Sequence, residues 1–252
     1  MATNSKQENQ DVYILHTYPF KETSLIAELF SEGHGRIPVV AKGARRPRSS
    51  LRGMLQSFQL LQATWSGRGE IKTLHSIEWC DKFLQVDGNA LICGFYINEL
   101  IIRLLPREDS YPKLFNFYHL TMKTLADGEN LEIALRKFEL KLLQELGYEV
   151  PLKQDEKGDP IVSDKLYIYE VEYGASEISK TNNGVKILGK TLLDMAGGEY
   201  NGDNTQLQSK QLMRYLIGHY LGRIGQLAIS GVQFLRGDYP STSIEFGRPQ
   251  LN

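Results

Sequence analysis

The chain has 252 residues and a mass of 28.6 kDa, 41% hydrophobic and 23% charged, an ordinary globular composition with room for one large domain or two small ones. Its net charge of -1 divides unevenly: residues 1–83 hold 11 Lys+Arg and 8 Asp+Glu, a net of +3, and the remainder hold 18 and 22, a net of -4. Two cysteines, Cys80 and Cys93, are too few for a zinc site and form no C-x-x-C pair, and the polar start MATNSKQENQ lacks the apolar core of an export signal, so a reduced, cytoplasmic protein is expected.

Residues 1–10 read as a disordered tail, with a first domain over 11–83. Five β-rich runs follow, Val12–Tyr18, Leu25–Phe30, Arg36–Ala41, Phe58–Trp65 and Glu70–Trp79, the last two joined by the hairpin-like Ser66-Gly67-Arg68-Gly69. Five short strands with no helical period among them predict a small five-stranded barrel of the OB-fold kind, an architecture whose face and loops bind oligonucleotides.

The positive charge of this part is concentrated. Arg36, Lys42, Arg45, Arg46, Arg48 and Arg52 fall within 17 residues, and no Asp or Glu occurs from Gly33 to Gly69. The apolar run Ile37–Ala41 leads straight into the charged stretch, which Gly43, Pro47 and Ser49-Ser50 turn into a loop. A strand that delivers a cationic loop suits a long polyanion, because phosphates reward charge density without one fixed geometry. A solvated loop without a partner would not need to exclude acids over so long a window. Arg68 and Lys72 on the adjoining hairpin are expected allies. Tyr13, Tyr18, Phe58 and Trp65 are available for base stacking, although strand aromatics in a small barrel are more often core. No base-reading module is present, so binding is expected to run through the backbone, tolerant of sequence and sensitive to salt.

From residue 84 the pattern turns helical, and a second domain is expected over 84–237. Leu91–Leu105 is apolar nearly all round and ends at Pro106, but with Asn98, Glu99 and Arg103 it is no membrane span. Leu114–Leu125 follows the start signal Ser110-Tyr111-Pro112. Leu131–Leu146 sets Leu131, Leu135, Phe138, Leu142 and Leu146 on one face and closes at Gly147. Arg136, Lys137 and Lys141 lie beside Phe138 and Leu142. That is either a groove with a basic rim for an acidic peptide ending in an aromatic residue, or a plain amphipathic core helix. An irregular insert is expected at about 151–202, with a β-like piece at Leu166–Val171, then helices at Leu207–Leu221 and Leu227–Leu235 and a polar tail over 238–252.

Gly184-Val-Lys-Ile-Leu-Gly189-Lys190-Thr191 fits the phosphate-cradling pattern G-x-x-x-x-G-K-[ST]. Its four middle residues favour an extended strand over a flexible cradle, and the 61 residues after Thr191 are too few for the parallel sheet that such a site needs. The five histidines are scattered, with no H-E-x-x-H pair and no nucleophile elbow. Nothing in the chain resembles a catalytic centre.

Taken together, Lys21-Glu-Thr-Ser-Leu25, Val40-Ala-Lys-Gly-Ala44 with its Arg/Ser loop, Gly67-Arg-Gly-Glu-Ile-Lys-Thr-Leu74, Tyr96-Ile-Asn-Glu-Leu100, Leu135-Arg-Lys-Phe-Glu139 and Leu146-Gly-Tyr148 resemble, in order and spacing, the RecO family of bacterial recombination mediators. The resemblance covers nearly the whole chain. It implies an N-terminal OB-fold, a helical C-terminal domain and no enzymatic turnover. It also implies binding of single- and double-stranded DNA, annealing of complementary strands, and partnership with RecR and with the C-terminal tail of single-strand DNA-binding protein, at the nucleoid. Carried onto this chain, it makes Lys42, Arg45, Arg46, Arg48 and Arg52 the DNA-contacting loop and puts the partner's tail at a groove near Arg136, Phe138 and Leu142. Two stretches depart from the pattern. Many members carry four zinc-binding cysteines after the Leu-Gly-Tyr motif, where this chain has Pro151-Leu-Lys-Gln-Asp-Glu156, so no metal or other cofactor is expected. Tyr220-Leu-Gly222 is followed by Arg223-Ile-Gly-Gln-Leu-Ala-Ile-Ser230 instead of a basic run.

The expected whole is an α+β protein, an OB-fold-like barrel followed by a mainly α-helical domain, serving as a non-enzymatic DNA-binding mediator. A nucleotide hydrolase built on Gly184–Thr191 and a pure protein-interaction adaptor are the competing readings.

Overall fold

The computed structural model describes residues 6–80, 83–128, 130–178 and 184–224. Strand alternation organises the first third. In β1 (Gln7–Phe20), β2 (Ser24–Ser31) and β3 (Gly35–Ala41), one set of side chains (Val12, Ile14, Ala27, Leu29, Ile37, Val39) points into a dry interior. A short helix α1 (Leu51–Met54) leads to β4 (Leu61–Ser66) and β5 (Lys72–Trp79), which add Leu61, Ala63, Trp65, Leu74 and Ile77 to the same interior. The strands close in the order β1-β2-β3-β5-β4, antiparallel except where β3 meets β5 at Val39 and Val40. That is an OB-fold-like barrel.

The opposite set of side chains explains why β1 and β2 are buried on both sides. Alternation sets Leu15, at the register shift between Ile14 and His16, with Tyr13 and Phe30 on the outer face. There they pack on α2 (Gly88–Leu104) and α3 (Pro112–Ala126) in one continuous core. Three polar links fix the junction: Asn98 donates to the Leu15 carbonyl, Tyr118 donates to Asn98 Oδ1, and the Tyr13 hydroxyl lies 2.6 Å from His119 Nδ1. Gly35 is required at the seam, since its φ is +65° and a Cβ there would sit 1.7 Å from the Asp109 carbonyl oxygen.

Helix α4 (Leu131–Glu145) runs through the middle of the helical body, packed on α2, α3 and α6 (Asp203–Ile224). Between α4 and α6 the chain forms β6 (Leu166–Glu170), β7 (Gly174–Glu177) and β8 (Val185–Leu188), then α5 (Gly189–Gly197). The three strands make an antiparallel sheet in the order β7-β6-β8. No helix among the described residues is long and apolar enough to cross a membrane.

Three expectations change. β1 begins at Gln7, inside the stretch read as a disordered tail, because Gln7 and Gln10 pair with Trp65 and Ala63 of β4. The strand expected from Phe58 begins at Leu61, because Phe58 has φ +69° and turns its ring into the helical core. The irregular insert contains a sheet, whose four- and five-residue strands are too short to show an alternation. The helix read at Leu227–Leu235 and the tail at 238–252 lie outside the described residues.

Candidate nucleic-acid interface

After Ala41 the chain leaves the barrel through Gly43, whose φ is +73°, and through successive turns in which Ala44, Arg46, Ser49 and Arg52 donate to carbonyls three residues back. Ala44 and Leu55 sink into the barrel core at either end. Arg45 is tied to the β1–β2 turn, its backbone N–H to the Thr23 carbonyl and its guanidinium to the Lys21 carbonyl. The loop is therefore pinned at both ends and once in between. Lys42, Arg45, Arg46, Arg48 and Arg52 are all exposed, and among the described residues none of the five forms an ion pair. Five unneutralised cations on a held loop raise the local potential where a polyanion can reach it.

The other predicted cations sit differently. Arg68 is exposed on the β4–β5 turn. Lys72 is turned inward, pairing with Glu108 at 2.7 Å and donating to the Gly69 carbonyl. Arg36 is a brace between the barrel and the end of α2. It pairs with buried Glu28 at 3.2 Å and donates twice to the Leu105 carbonyl, at 3.2 and 3.1 Å. Burial pulls the Arg36 pKa below its usual range, with Glu28 acting against that pull. Arg107, which sequence reasoning passed over, takes the second Glu28 oxygen at 2.9 Å and stays partly exposed.

Of the four aromatics, Tyr13, Phe58 and Trp65 are buried, and Tyr18 is 43% exposed. The register pairs Tyr18 with Ile26 and Ile26 with Val40 on the outer face of the barrel, and the His16 ring meets Tyr18 edge-on at 4.5 Å. An accessible strip of His16, Tyr18, Ile26 and Val40 thus runs along the barrel toward Lys21 and Arg45. Neither His16 nor Lys21 was singled out as a site residue from the sequence, since only the fold sets His16 against Tyr18 and the Lys21 carbonyl against Arg45.

The residues expected to take a partner's tail are inside. Phe138 and Leu142 are fully buried and Arg136 is 8% exposed, because helices cover α4 on several sides. Arg136 pairs with Glu139 at 2.5 Å, and Tyr96 donates to the same carboxylate oxygen at 2.7 Å. Burial acts to lower the Arg136 pKa, but Glu139 together with Tyr96 and Glu132 more than offsets it and the net direction is upward. A cavity of about 460 Å³ opens between α3, α4 and the α5–α6 connection, and none of Arg136, Phe138 and Leu142 lines it. Phe117, Leu120, Ile133 and Tyr200 line it, with Lys137 lying 6.0 Å over the Tyr200 ring.

Gly184–Thr191 is not a phosphate cradle. It forms β8 of an antiparallel sheet followed by a nine-residue helix. The backbone N–H groups of Leu188, Gly189 and Lys190 already donate, to Gln208 Oε1 and to the Lys165 and Ser163 carbonyls. Both glycines are steric: a Cβ would lie 2.3 Å from the Tyr169 carbonyl at Gly184 and 1.9 Å from the Val162 carbonyl at Gly189. Among the described residues no group of three or more His, Cys, Asp or Glu could hold a metal ion.

Residues 5–83 match the family model for the recombination protein O N terminal, and residues 85–225 match the one for its C terminal. The DNA repair protein RecO of Nitrosospira multiformis is 48% identical over 220 residues, covering 86% of this chain and 91% of that one. Those of Aromatoleum aromaticum and Azoarcus sp. are 46% and 45% identical over 226 and 227 residues, each alignment covering 88% of this chain and 93% of the relative.

Proposed function

This chain belongs to the RecO family of DNA repair proteins, and from that premise we propose that it is a non-enzymatic mediator that grips DNA backbones with its basic loop and anneals complementary strands. The observation that carries the reading is the set of five exposed, ion-pair-free cations at 42–52, held on an OB-fold-like barrel. Arg68 adds to the same field, and the strip around Tyr18 offers bases a surface on which to stack. Arg36 and Lys72 support the interface from behind by fixing the barrel's geometry. Annealing follows because cations on one barrel reduce the repulsion between two strands held close together.

The test is titration of a fluorescent single strand at several salt concentrations, with the parent and an Arg45→Glu/Arg46→Glu variant. Loss of two phosphate contacts flattens the plot of log affinity against log salt by about 1.4, as expected for a single strand. A slope that the substitutions leave unchanged would sink the loop as the DNA site.

A second element of the proposal is capture of the acidic, aromatic-ended tail of single-strand DNA-binding protein, by which the mediator reaches coated DNA and, with RecR, helps load recombinase. The accessible groove between α3, α4 and the α5–α6 connection supports it, with Phe117, Leu120 and Ile133 as an apolar floor and Lys137 and Glu199 among its polar lining. A Lys137→Glu/Leu120→Ala variant should bind the tail peptide at least about tenfold more weakly while retaining DNA affinity. Unaltered peptide affinity would move the tail elsewhere.

A further inference from the structure

At the C-terminal end of α4 lies a second cavity, of about 370 Å³, walled by Tyr148, Glu149, Pro151, Glu172, Tyr173 and Tyr220. Its shape is set by two glycines. Gly147, with φ +79°, ends α4 by donating to the Gln144 carbonyl, so that Tyr148 turns back and donates to the Leu143 carbonyl. Gly174, with φ +77°, tightens the β6–β7 turn against Pro151, where a Cβ would come within 2.8 Å of the proline ring. The Tyr148 and Tyr220 rings stack 3.8 Å apart at 20° and form one wall, and Tyr173 projects from the turn, 64% exposed.

Three independent features give this cavity a preference for positive charge. Glu149 and Glu172 are exposed at its edge, and among the described residues neither takes a hydrogen bond or an ion pair. The exposed Tyr173 ring carries the negative part of its quadrupole on its face. The negative end of the α4 dipole reaches the cavity, and the last turn of α4 holds no basic residue to complement it. The helical part of the chain is also the acidic part, residues 84–252 having a net charge of -4.

We propose that this cavity is a docking site for an arginine side chain presented by a partner protein, the guanidinium resting on the exposed Tyr173 ring beside the Tyr148–Tyr220 wall and pairing with Glu149 and Glu172. A planar guanidinium fits better than an ammonium because it can stack and donate in the plane at once. The chain's own residues 225–252 are the weaker match, since their Arg236 and Arg248 are balanced by Asp238 and Glu245.

The experiment uses the full chain with labelled tyrosine rings, followed by NMR during titration with acetyl-Gly-Arg-Gly-amide and with its neutral citrulline counterpart. The arginine peptide should saturate shifts of Tyr148, Tyr173 and Tyr220, and the citrulline peptide should not. Glu149→Gln/Glu172→Gln should weaken binding about tenfold and Tyr173→Leu severalfold. Both variants alter exposed side chains, so unchanged circular-dichroism melts separate a lost site from a lost fold. Equal binding of the two peptides, or no saturable shift, overturns the proposal. Binding that appears only after Arg236→Gln/Arg248→Gln would assign the cavity to this chain's own C-terminal residues and overturn it as well.

Discussion

Arg36 holds Glu28 and the Leu105 carbonyl at the seam between barrel and helices, whereas Arg45 and Arg46 reach into solvent nine and ten residues later. Substitution should separate the two roles. Arg36→Met should cost about 2 kcal/mol of stability, since Glu28 keeps Arg107 but loses its inner partner, and it should leave the salt slope of DNA binding unchanged. Urea unfolding read beside the titration would show this, and a flattened slope would instead place Arg36 on the DNA. The same contrast applies to the tail groove. Phe138→Ala should cost about 3–5 kcal/mol because the ring is fully buried, whereas Leu120, 59% exposed, should cost under about 0.5 kcal/mol on truncation. The residues that resemble a motif most closely are here the ones least able to touch a ligand.

At the level of elements, the β8–α5 junction shows how a motif can be imitated by packing. Gly189→Ala should destabilise by more than about 2 kcal/mol, because the Val162 carbonyl blocks its Cβ and lies on a different segment. Lys190→Ala removes only an exposed pair with Asp194 and should shift the melting temperature little, with no nucleotide-dependent change in either protein. Nucleotide protection of the parent that Lys190→Ala abolishes would revive the hydrolase reading. The strand pattern of the barrel was legible because alternation and turn residues recur over 80 residues. The small sheet at β6–β8 was not, since its strands hold four or five residues and find their partners only in three dimensions.

For the whole molecule, the core that begins on the outer face of β1 and β2 continues through α2, α3, α4 and α6 without a break. Barrel and helices should therefore melt together. Both tryptophans, Trp65 and Trp79, lie in β4 and β5, so tryptophan fluorescence reports the barrel while far-ultraviolet circular dichroism follows mainly the helices. Coincident transitions are expected, and two separated midpoints would show independent domains. Alkaline pH probes the same core. Burial raises the pKa of Tyr96 and Tyr118 well above the usual tyrosine range and that of Tyr200 to about 12. A group whose folded pKa is raised contributes stability below its unfolded value near 10, and that contribution is lost as pH rises through the folded value. Stability should thus hold to about pH 10 and fall above it, with these rings ionising only as the chain unfolds. Tyrosinate absorbance that rises fully before the circular dichroism changes would contradict the burial.

The sequence by itself determined the five-strand pattern, the main helices and the concentration of cations at 42–52, because each rests on neighbours along the chain: alternation, helical period, turn residues and local charge. Only the tertiary structure decided which cations are available. Arg36 is taken by Glu28 and Leu105 and Lys72 by Glu108, partners that sequence reasoning had no means to assign. The same holds for the burial of Phe138 and Leu142, for the strip beside Arg45, and for the acidic aromatic cavity assembled from residues 147–151, 171–174 and 220. Local propensity is written into adjacent residues, but which side chains remain accessible is set by segments that meet only when the chain folds.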